Sequence, residues 1–324
     1  MIRLQDLSRS YATPRGTIAA VDGVTLEVAD GETCVLLGPS GCGKTTTLRM
    51  INRLVLPTSG KIFIGGRDTD GIDPVALRRG IGYVIQQIGL FPNMTVAENI
   101  GVVPRLLGWN AAKSRRRAEE LLVLLALEPA LFLDRFPNEL SGGQAQRIGV
   151  ARALAVDPPV LLMDEPFAAL DPVNREAIQD EFLRMQQTLR KTILFVSHDI
   201  DEAVKMADRI AIFRAGKLAQ FGPPDELLAH PADDFVASFV GRDRTLKRLR
   251  LIKVRDVMES KAQGDAASGP TVSADDDLRR VATLFLEDAV ETIRCIDDTG
   301  RTVGVVSRAS VAARLGETRP EKAG

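Results

Sequence analysis

The sequence predicts an α/β fold: a mostly parallel sheet whose strands alternate with helices, with a small α+β tail after it. Two observations predict this. The runs Cys34-Val35-Leu36-Leu37, Val160-Leu161-Leu162-Met163 and Thr192-Ile193-Leu194-Phe195-Val196 are short and almost wholly apolar, as strands buried on both faces are. Each run then stops at a polar turn, respectively Gly38-Pro39-Ser40, Asp164-Glu165-Pro166 and Ser197-His198-Asp199. In such a sheet ligands bind beyond the carboxyl ends of the strands, so Thr45, Asp164 and His198 are expected at one site despite their separation in sequence.

Taken in order, residues 2–31 read as short strands broken by turns, with Val24-Thr25-Leu26-Glu27-Val28 alternating and Asp30-Gly31 turning tightly. Tyr11 is placed in a loop ahead of Thr13-Pro14-Arg15-Gly16. Lys61-Ile62-Phe63-Ile64 adds a strand that ends at Gly65-Gly66, and these pieces form an antiparallel sheet beside the main one. Residues 92–157 turn helical, and the cluster Lys113, Arg115, Arg116 and Arg117 reads as a solvated helix face. Residues 172–190 form a further helix, with Pro172 favourably just inside its start.

The first polar turn carries chemistry. Gly38-Pro39-Ser40-Gly41-Cys42-Gly43-Lys44-Thr45 fits G-x-x-x-x-G-K-[ST] between a strand and the helical run that begins at Thr46. Its glycines allow positive φ and bring successive N–H groups against a phosphate chain, while the following helix aims its positive end at the same anion. Lys44 supplies a mobile point charge for the β/γ oxygens and the Thr45 hydroxyl a ligand for Mg²⁺. Each charge-assisted hydrogen bond is worth roughly 1.5–3 kcal/mol, so several together hold a nucleoside triphosphate. Asp164, at its strand end, is the expected second holder of Mg²⁺, and Glu165 beside it the general base toward water. His198 is expected to contact the γ-phosphate and orient the water or Glu165, whereas His230 receives no role.

Composition narrows the class. A net charge of -1, with 26% charged and 45% hydrophobic residues, is ordinary for a globular protein and gives no basic excess for nucleic acid as partner. The longest apolar run, residues 121–127, is far short of the roughly 20 residues that span a bilayer. Residues 1–6 lack the apolar core of a signal peptide, and three cysteines at 34, 42 and 295 suggest a reducing compartment, so a cytosolic protein is expected.

Leu140-Ser141-Gly142-Gly143-Gln144, continued by Ala145-Gln146-Arg147, makes a second helix start suited to an anion. With this motif in place, residues 1 to about 235 resemble the ATP-binding subunits of ABC transporters. The resemblance implies a P-loop NTPase fold with a RecA-like core, an antiparallel β subdomain and a helical subdomain at about 88–157, binding ATP and Mg²⁺. It implies that Tyr11 stacks on adenine and that Gln86 contacts Mg²⁺ and water while sensing the membrane subunit, with Gln87 a bystander. Ser141, Gly142, Gly143 and Gln144 are implied to contact the γ-phosphate held by a second copy, and Asp171, in Ala169-Leu170-Asp171, to communicate between the two sites. Ala168 stands where the family usually has serine. One P-loop and one signature per chain imply a homodimer.

The stretch from Ile81-Gly82-Tyr83-Val84-Ile85-Gln86 to Leu90-Phe91-Pro92-Asn93-Met94-Thr95-Val96 is similar to importers of glycine betaine, choline, carnitine or proline betaine. Ile88, Leu90, Phe91 and Met94 are either a groove for a helix of the membrane subunit or core. The implied partners are integral membrane permease subunits and, indirectly, a substrate-binding protein, on the cytoplasmic face of the membrane. In the tail, Val254-Arg255-Asp256-Val257-Met258, Thr271-Val272, a helix around Leu278 to Leu286, and Thr292 to Ile296 and Val303 to Val306 joined by Asp298-Thr299-Gly300 resemble one CBS module, where the importer relatives usually carry two. Ser310 stands where nucleotide-binding CBS modules favour an aspartate for ribose. The chain is thus expected to divide into an ATP-binding domain, 1–238, a basic linker, 239–250, one CBS-like module, 251–316, and a tail, 317–324. Residues 242–255 carry seven Lys or Arg against one Asp and are expected as a solvated helix, with an anionic membrane surface as the other attraction. Importers of another solute such as an amino acid, and soluble ABC ATPases outside transport, remain the alternatives. A GTPase lacks support because no [NT]-K-x-D motif is present.

Overall fold

A computed structural model describes residues 1–14, 16–86, 89–168, 170–260 and 269–316. Gln87, Ile88, Ala169 and the tail 317–324 lie outside the described residues. By internal contacts the chain divides into two units, Met1–Phe221 and Gly222–Gly324.

In the first unit, strands β1 (Ile2–Thr13), β2 (Gly16–Val28), β4 (Ser59–Ile64) and β5 (Arg67–Asp68) form a sheet in the order β2-β1-β4-β5, antiparallel throughout. The expected short, broken strands are instead one long hairpin. Irregularities between Leu4 and Ser10 absorb the polar residues that look like breaks in the sequence, and Asp6 takes φ 46° among them. Tyr11 therefore lies within β1, paired with Ile18, and not in a loop.

The second sheet has the order β10-β9-β3-β8-β7-β6, formed by β3 (Thr33–Leu37), β6 (Ile81–Val84), β7 (Val160–Asp164), β8 (Thr192–Val196), β9 (Arg209–Arg214) and β10 (Lys217–Gly222). Strands β3 and β6 to β9 run parallel. Every residue of β3, β7 and β8 is buried, which is why these strands read as continuous apolar runs. One core joins both sheets through Ile2, Leu4, Leu36, Leu162, Phe213 and Leu48 of helix α1 (Lys44–Ile51).

The connections place the helices. After α2 (Pro74–Arg79) and β6, the helical segment holds α3 (Val96–Ile100), α4 (Val102–Leu106), α5 (Ala111–Leu124), α6 (Pro129–Phe132) and α7 (Gly142–Leu154). Ser141 starts α7 because its hydroxyl accepts from the Gln144 N–H while the Gln144 amide oxygen accepts from the Ser141 N–H. The basic face of α5 is only partly solvated: Arg115 forks onto Asp134, and Arg117 donates to the carbonyls of Leu154 and Ala155. Helices α8 (Pro172–Leu189) and α9 (Ile200–Met206) complete this unit.

The second unit contains α10 (Pro224–Ala229), α11 (Asp234–Val240), α12 (Arg244–Arg248), α13 (Leu278–Glu287), α14 (Arg308–Gly316) and a sheet ordered β11-β14-β13-β12. Its strands are β11 (Glu259–Ser260), β12 (Thr271–Ser273), β13 (Thr292–Ile296) and β14 (Thr302–Ser307). Leu278, Val281 and Phe285 of α13 pack on Ile293, Cys295 and Val306, giving the unit a core of its own. The basic stretch departs from expectation, since Lys247 and Arg248 are buried. Arg248 is 4% exposed and donates to Asp225 Oδ1 at 2.7 Å, a partner 23 positions upstream that no local pattern announces. Asp225→Ala is expected to destabilise this unit by about 1.5–3 kcal/mol, the range for a hydrogen bond to a charged group. Urea unfolding followed by the exchange protection of α10 and α12 checks this.

Candidate active site

The site grows from the end of β3. Gly38 and Gly43 are required there by geometry. A Cβ on Gly38 would lie 2.4 Å from the Phe213 carbonyl oxygen, and one on Gly43 would lie 2.3 Å from that of Ala20, at φ 142° and 105° respectively. Gly43 occupies the cap position of α1 and supplies no side chain to it, so the first N–H groups of this helix keep no side-chain acceptor. They face an open cleft of about 500 Å³, lined by Ser40, Gly41, Cys42, Gly43, Lys44, Thr45 and Thr46 together with Gln86, Glu165 and His198. A row of orphan donors over a cradle that admits no Cβ at Gly38 or Gly43 is a built anion site.

Lys44 is buried, and its Nζ donates to the carbonyls of Gly38 at 2.6 Å and Pro39 at 3.0 Å. The ammonium is thus held against the loop from which it can swing to a phosphate. Thr45 Oγ1 donates to Asp164 Oδ1 at 3.0 Å. Burial pushes the Asp164 carboxyl above the usual range, while the Thr45 hydroxyl and the charges of Arg49 and Lys44 pull it back. A hydroxyl and a carboxylate side by side are the hard oxygen donors that Mg²⁺ takes.

Glu165 follows at the end of β7. It adopts φ 48°, a left-handed conformation costly for a residue with a Cβ, and its N–H donates to the Val196 carbonyl at 3.1 Å. The turn presents its carboxylate to the cleft, where Gln86 Nε2 donates to Oε2 at 2.9 Å and His198 Nδ1 lies 3.7 Å away. The ring of His198 is 65% exposed. A carboxylate held by an amide and an imidazole beside an anion cradle is the arrangement for activating water toward a phosphate.

The structure thus brings the glycine-rich loop, Gln86, Asp164, Glu165 and His198 together. It does not bring Tyr11 or the signature residues to the same cleft. The Tyr11 ring lies against the Arg9 guanidinium, 4.5 Å from its centroid. Ser141 and Gly142 are exposed at the start of α7, and neither they nor Gly143 and Gln144 line the cleft. Asp171 is exposed just before α8, its carbonyl accepting from the Arg175 N–H at 2.9 Å. Of the apolar residues near Gln86, Phe91 is exposed and Leu90 and Met94 are half-buried, so Phe91 is not core.

Sequence reasoning missed a buried polar group beneath His198. Glu202 and Gln179 are 7% and 5% exposed, and Gln179 Nε2 donates to Glu202 Oε1 at 3.0 Å. Burial raises the Glu202 carboxyl, against the lowering effect of hydrogen bonds from Ser197 and Gln179. Only the capping position of Asp199, whose Oδ1 accepts from the N–H groups of Asp201 and Glu202, hints at this from sequence.

The three cysteines are buried, Cys42 behind the loop with its Sγ 3.7 Å from Lys44 Nζ. Burial pushes the Cys295 thiol up to about 11. With the thiol fully buried and held protonated, alkylation of Cys295 in the folded protein is expected at least about a hundredfold slower than that of a free thiol. Mass spectrometry of iodoacetamide-treated native protein checks this.

Residues 21–168 match the ABC transporter family. The chain is 56% identical over 311 residues to the osmoprotectant import ATP-binding protein OsmV of Salmonella typhimurium, covering 95% of this chain and 79% of that protein. It is 51% identical over 297 residues to the glycine betaine/carnitine/choline transport ATP-binding protein OpuCA of Bacillus subtilis, covering 92% and 76%. Among solved structures, the dimeric post-hydrolysis state of the ATP-binding cassette MJ0796 bound to ADP and Pi superimposes with a TM-score of 0.62 at 35% identity, covering 69% of this chain and 98% of that one. Sequence, fold and cleft agree, and the chain belongs to the ATP-binding, ATP-hydrolysing proteins of the ABC transporter family.

Proposed function

We propose that this protein hydrolyses ATP to energise the import of a quaternary-amine osmoprotectant such as glycine betaine, choline or carnitine. The observation that carries the hydrolytic part is the gathering of Gln86, Glu165 and His198 over the Lys44 cradle in one cleft. The solute class rests on the printed activities of OsmV and OpuCA, which match this chain over more than nine-tenths of its length.

In this reading the N–H groups of residues 40–46 and the Lys44 ammonium bind the phosphates, and Tyr11 stacks on adenine. Mg²⁺, when bound, neutralises charge on the phosphate oxygens; Thr45, Asp164 and Gln86 would hold it. Glu165 takes the proton of the attacking water through Oε2, the oxygen that Gln86 and His198 already flank. His198 then steadies the γ-phosphate. Ser141, Gly142, Gly143 and Gln144 complete the cleft of a second copy, which agrees with the exposure of Ser141 and Gly142 away from their own cleft and with the dimeric state of MJ0796. Asp171 communicates between the two sites.

Permease subunits with a substrate-binding protein are the partners, on the cytoplasmic face of the membrane, with exposed Phe91 at the contact. Attachment through those subunits belongs to the same proposal; among the described residues no helix is long and apolar enough to cross a membrane. The division 1–238, 239–250 and 251–316 belongs to the same proposal, with residues 251–316 a single CBS-like module. Ser310 Oγ is engaged by the N–H and carbonyl of Ser307, which favours a dimerising or ionic-strength-responsive module over an adenosine sensor.

The test is reconstitution with the permease and binding protein in proteoliposomes. Glycine betaine or choline is expected to stimulate ATP hydrolysis and to accumulate inside. Stimulation by an amino acid alone would move the solute class, and hydrolysis indifferent to any permease would remove transport.

A further inference from the structure

We infer that Glu202, Gln179 and Arg175 form a brace that holds the His198 loop in register with the Asp171 loop, making them positioning residues for hydrolysis. The inference rests on the proposed role of His198. That ring is largely exposed, and packing does not fix it. What fixes its loop lies one residue earlier: the Ser197 hydroxyl, 2% exposed, accepts from the Asp199 N–H at 3.0 Å and hydrogen-bonds to the Glu202 carboxylate. Glu202 in turn accepts from Gln179 of α8, the helix that begins directly after Asp171.

A second rung runs alongside. Arg175 donates through Nη2 to the Leu170 carbonyl at 2.9 Å and brings Nη1 within 3.9 Å of Asp199 Oδ2. Residues 175 and 179 are one turn apart on α8, and 199 and 202 one turn apart at the start of α9, so two parallel links join the same pair of elements. The remaining oxygen of Asp199 caps α9 and sets Glu202 in place. Burying a carboxylate and an amide costs more than burying an apolar pair of the same size, and polar partners this deep fix one geometry where apolar ones would slide. A displacement of Asp171 thereby reaches His198 through α8.

The test is steady-state ATP hydrolysis by the full-length protein. Glu202→Ala is expected to lower kcat about tenfold or more with the KM for ATP within about twofold, the pattern of a misplaced group, and Glu202→Gln to recover most of the loss. In the double variant with His198→Ala, the Glu202→Ala effect is expected to vanish, because both act through one group. Additive losses, or a wild-type kcat in Glu202→Ala, overturn the brace. A wild-type kcat in His198→Ala alone overturns instead the reading on which it rests. Should Glu202→Ala not accumulate folded, Gln179→Leu, close in size, carries the same expectations and the same refutations.

Discussion

Glu165→Gln is expected to hydrolyse ATP about 10²–10⁴-fold more slowly than the wild type while binding it with affinity within about threefold, the loss typical of a missing general base. The substitution preserves shape. Its amide oxygen still accepts from Gln86 Nε2, and the strained backbone at φ 48° is held by the Val196 carbonyl irrespective of the side chain. What disappears is an acceptor for the proton of water, because a neutral amide has almost no basicity. Binding survives because the donors to phosphate belong to residues 40–46, on another strand end. With turnover blocked, the ATP-loaded form accumulates, and size-exclusion chromatography in MgATP is expected to show a dimer. Hydrolysis at the wild-type rate would place the base elsewhere. Loss of ATP affinity together with turnover would make Glu165 a phosphate-positioning group.

The sequence carried the site further than it carried its supports. Strands β3, β7 and β8 were legible because burial on both faces leaves only apolar residues, and the polar residue that ends each run marks the cleft. The cradle was legible because its function lies in the backbone, which only glycine spacing can shape. Three things were not. The Gln86 to Glu165 hydrogen bond joins β6 to β7, and the order of strands in a sheet is not written in any one strand. Burial of Arg248 depends on Asp225 arriving from α10, so a run of basic residues looks solvated until its partner is found. The Gln179 and Glu202 pair is buried on two helices whose other described polar residues keep some exposure, and composition gives the two kinds the same letters.

Gly43→Ala is expected to destabilise the nucleotide-free protein by about 2–5 kcal/mol and to weaken ATP binding by about a hundredfold or more. Two costs add. The left-handed backbone at φ 105° strains any residue with a Cβ, and that Cβ would lie 2.3 Å from the Ala20 carbonyl oxygen and 3.2 Å from Val21 Cγ2, both in β2. Relief requires moving Gly43, whose carbonyl accepts from the Thr47 N–H at 2.8 Å and from the Thr47 hydroxyl at 3.0 Å, so the first turn of α1 moves with it. Those are the N–H groups that face the cleft, and two charge-assisted bonds lost or lengthened account for the affinity. Gly41→Ala is the control that separates the costs. Its φ is 78°, but a Cβ there meets nothing within 4 Å, so strain alone remains and stability is expected to fall by only about 1–2 kcal/mol. Differential scanning calorimetry without nucleotide and fluorescent-ATP titration measure both variants. Equal destabilisation of the two would mean that the Ala20 carbonyl yields to the new methyl group and that contact with β2 does not set the shape of the cradle.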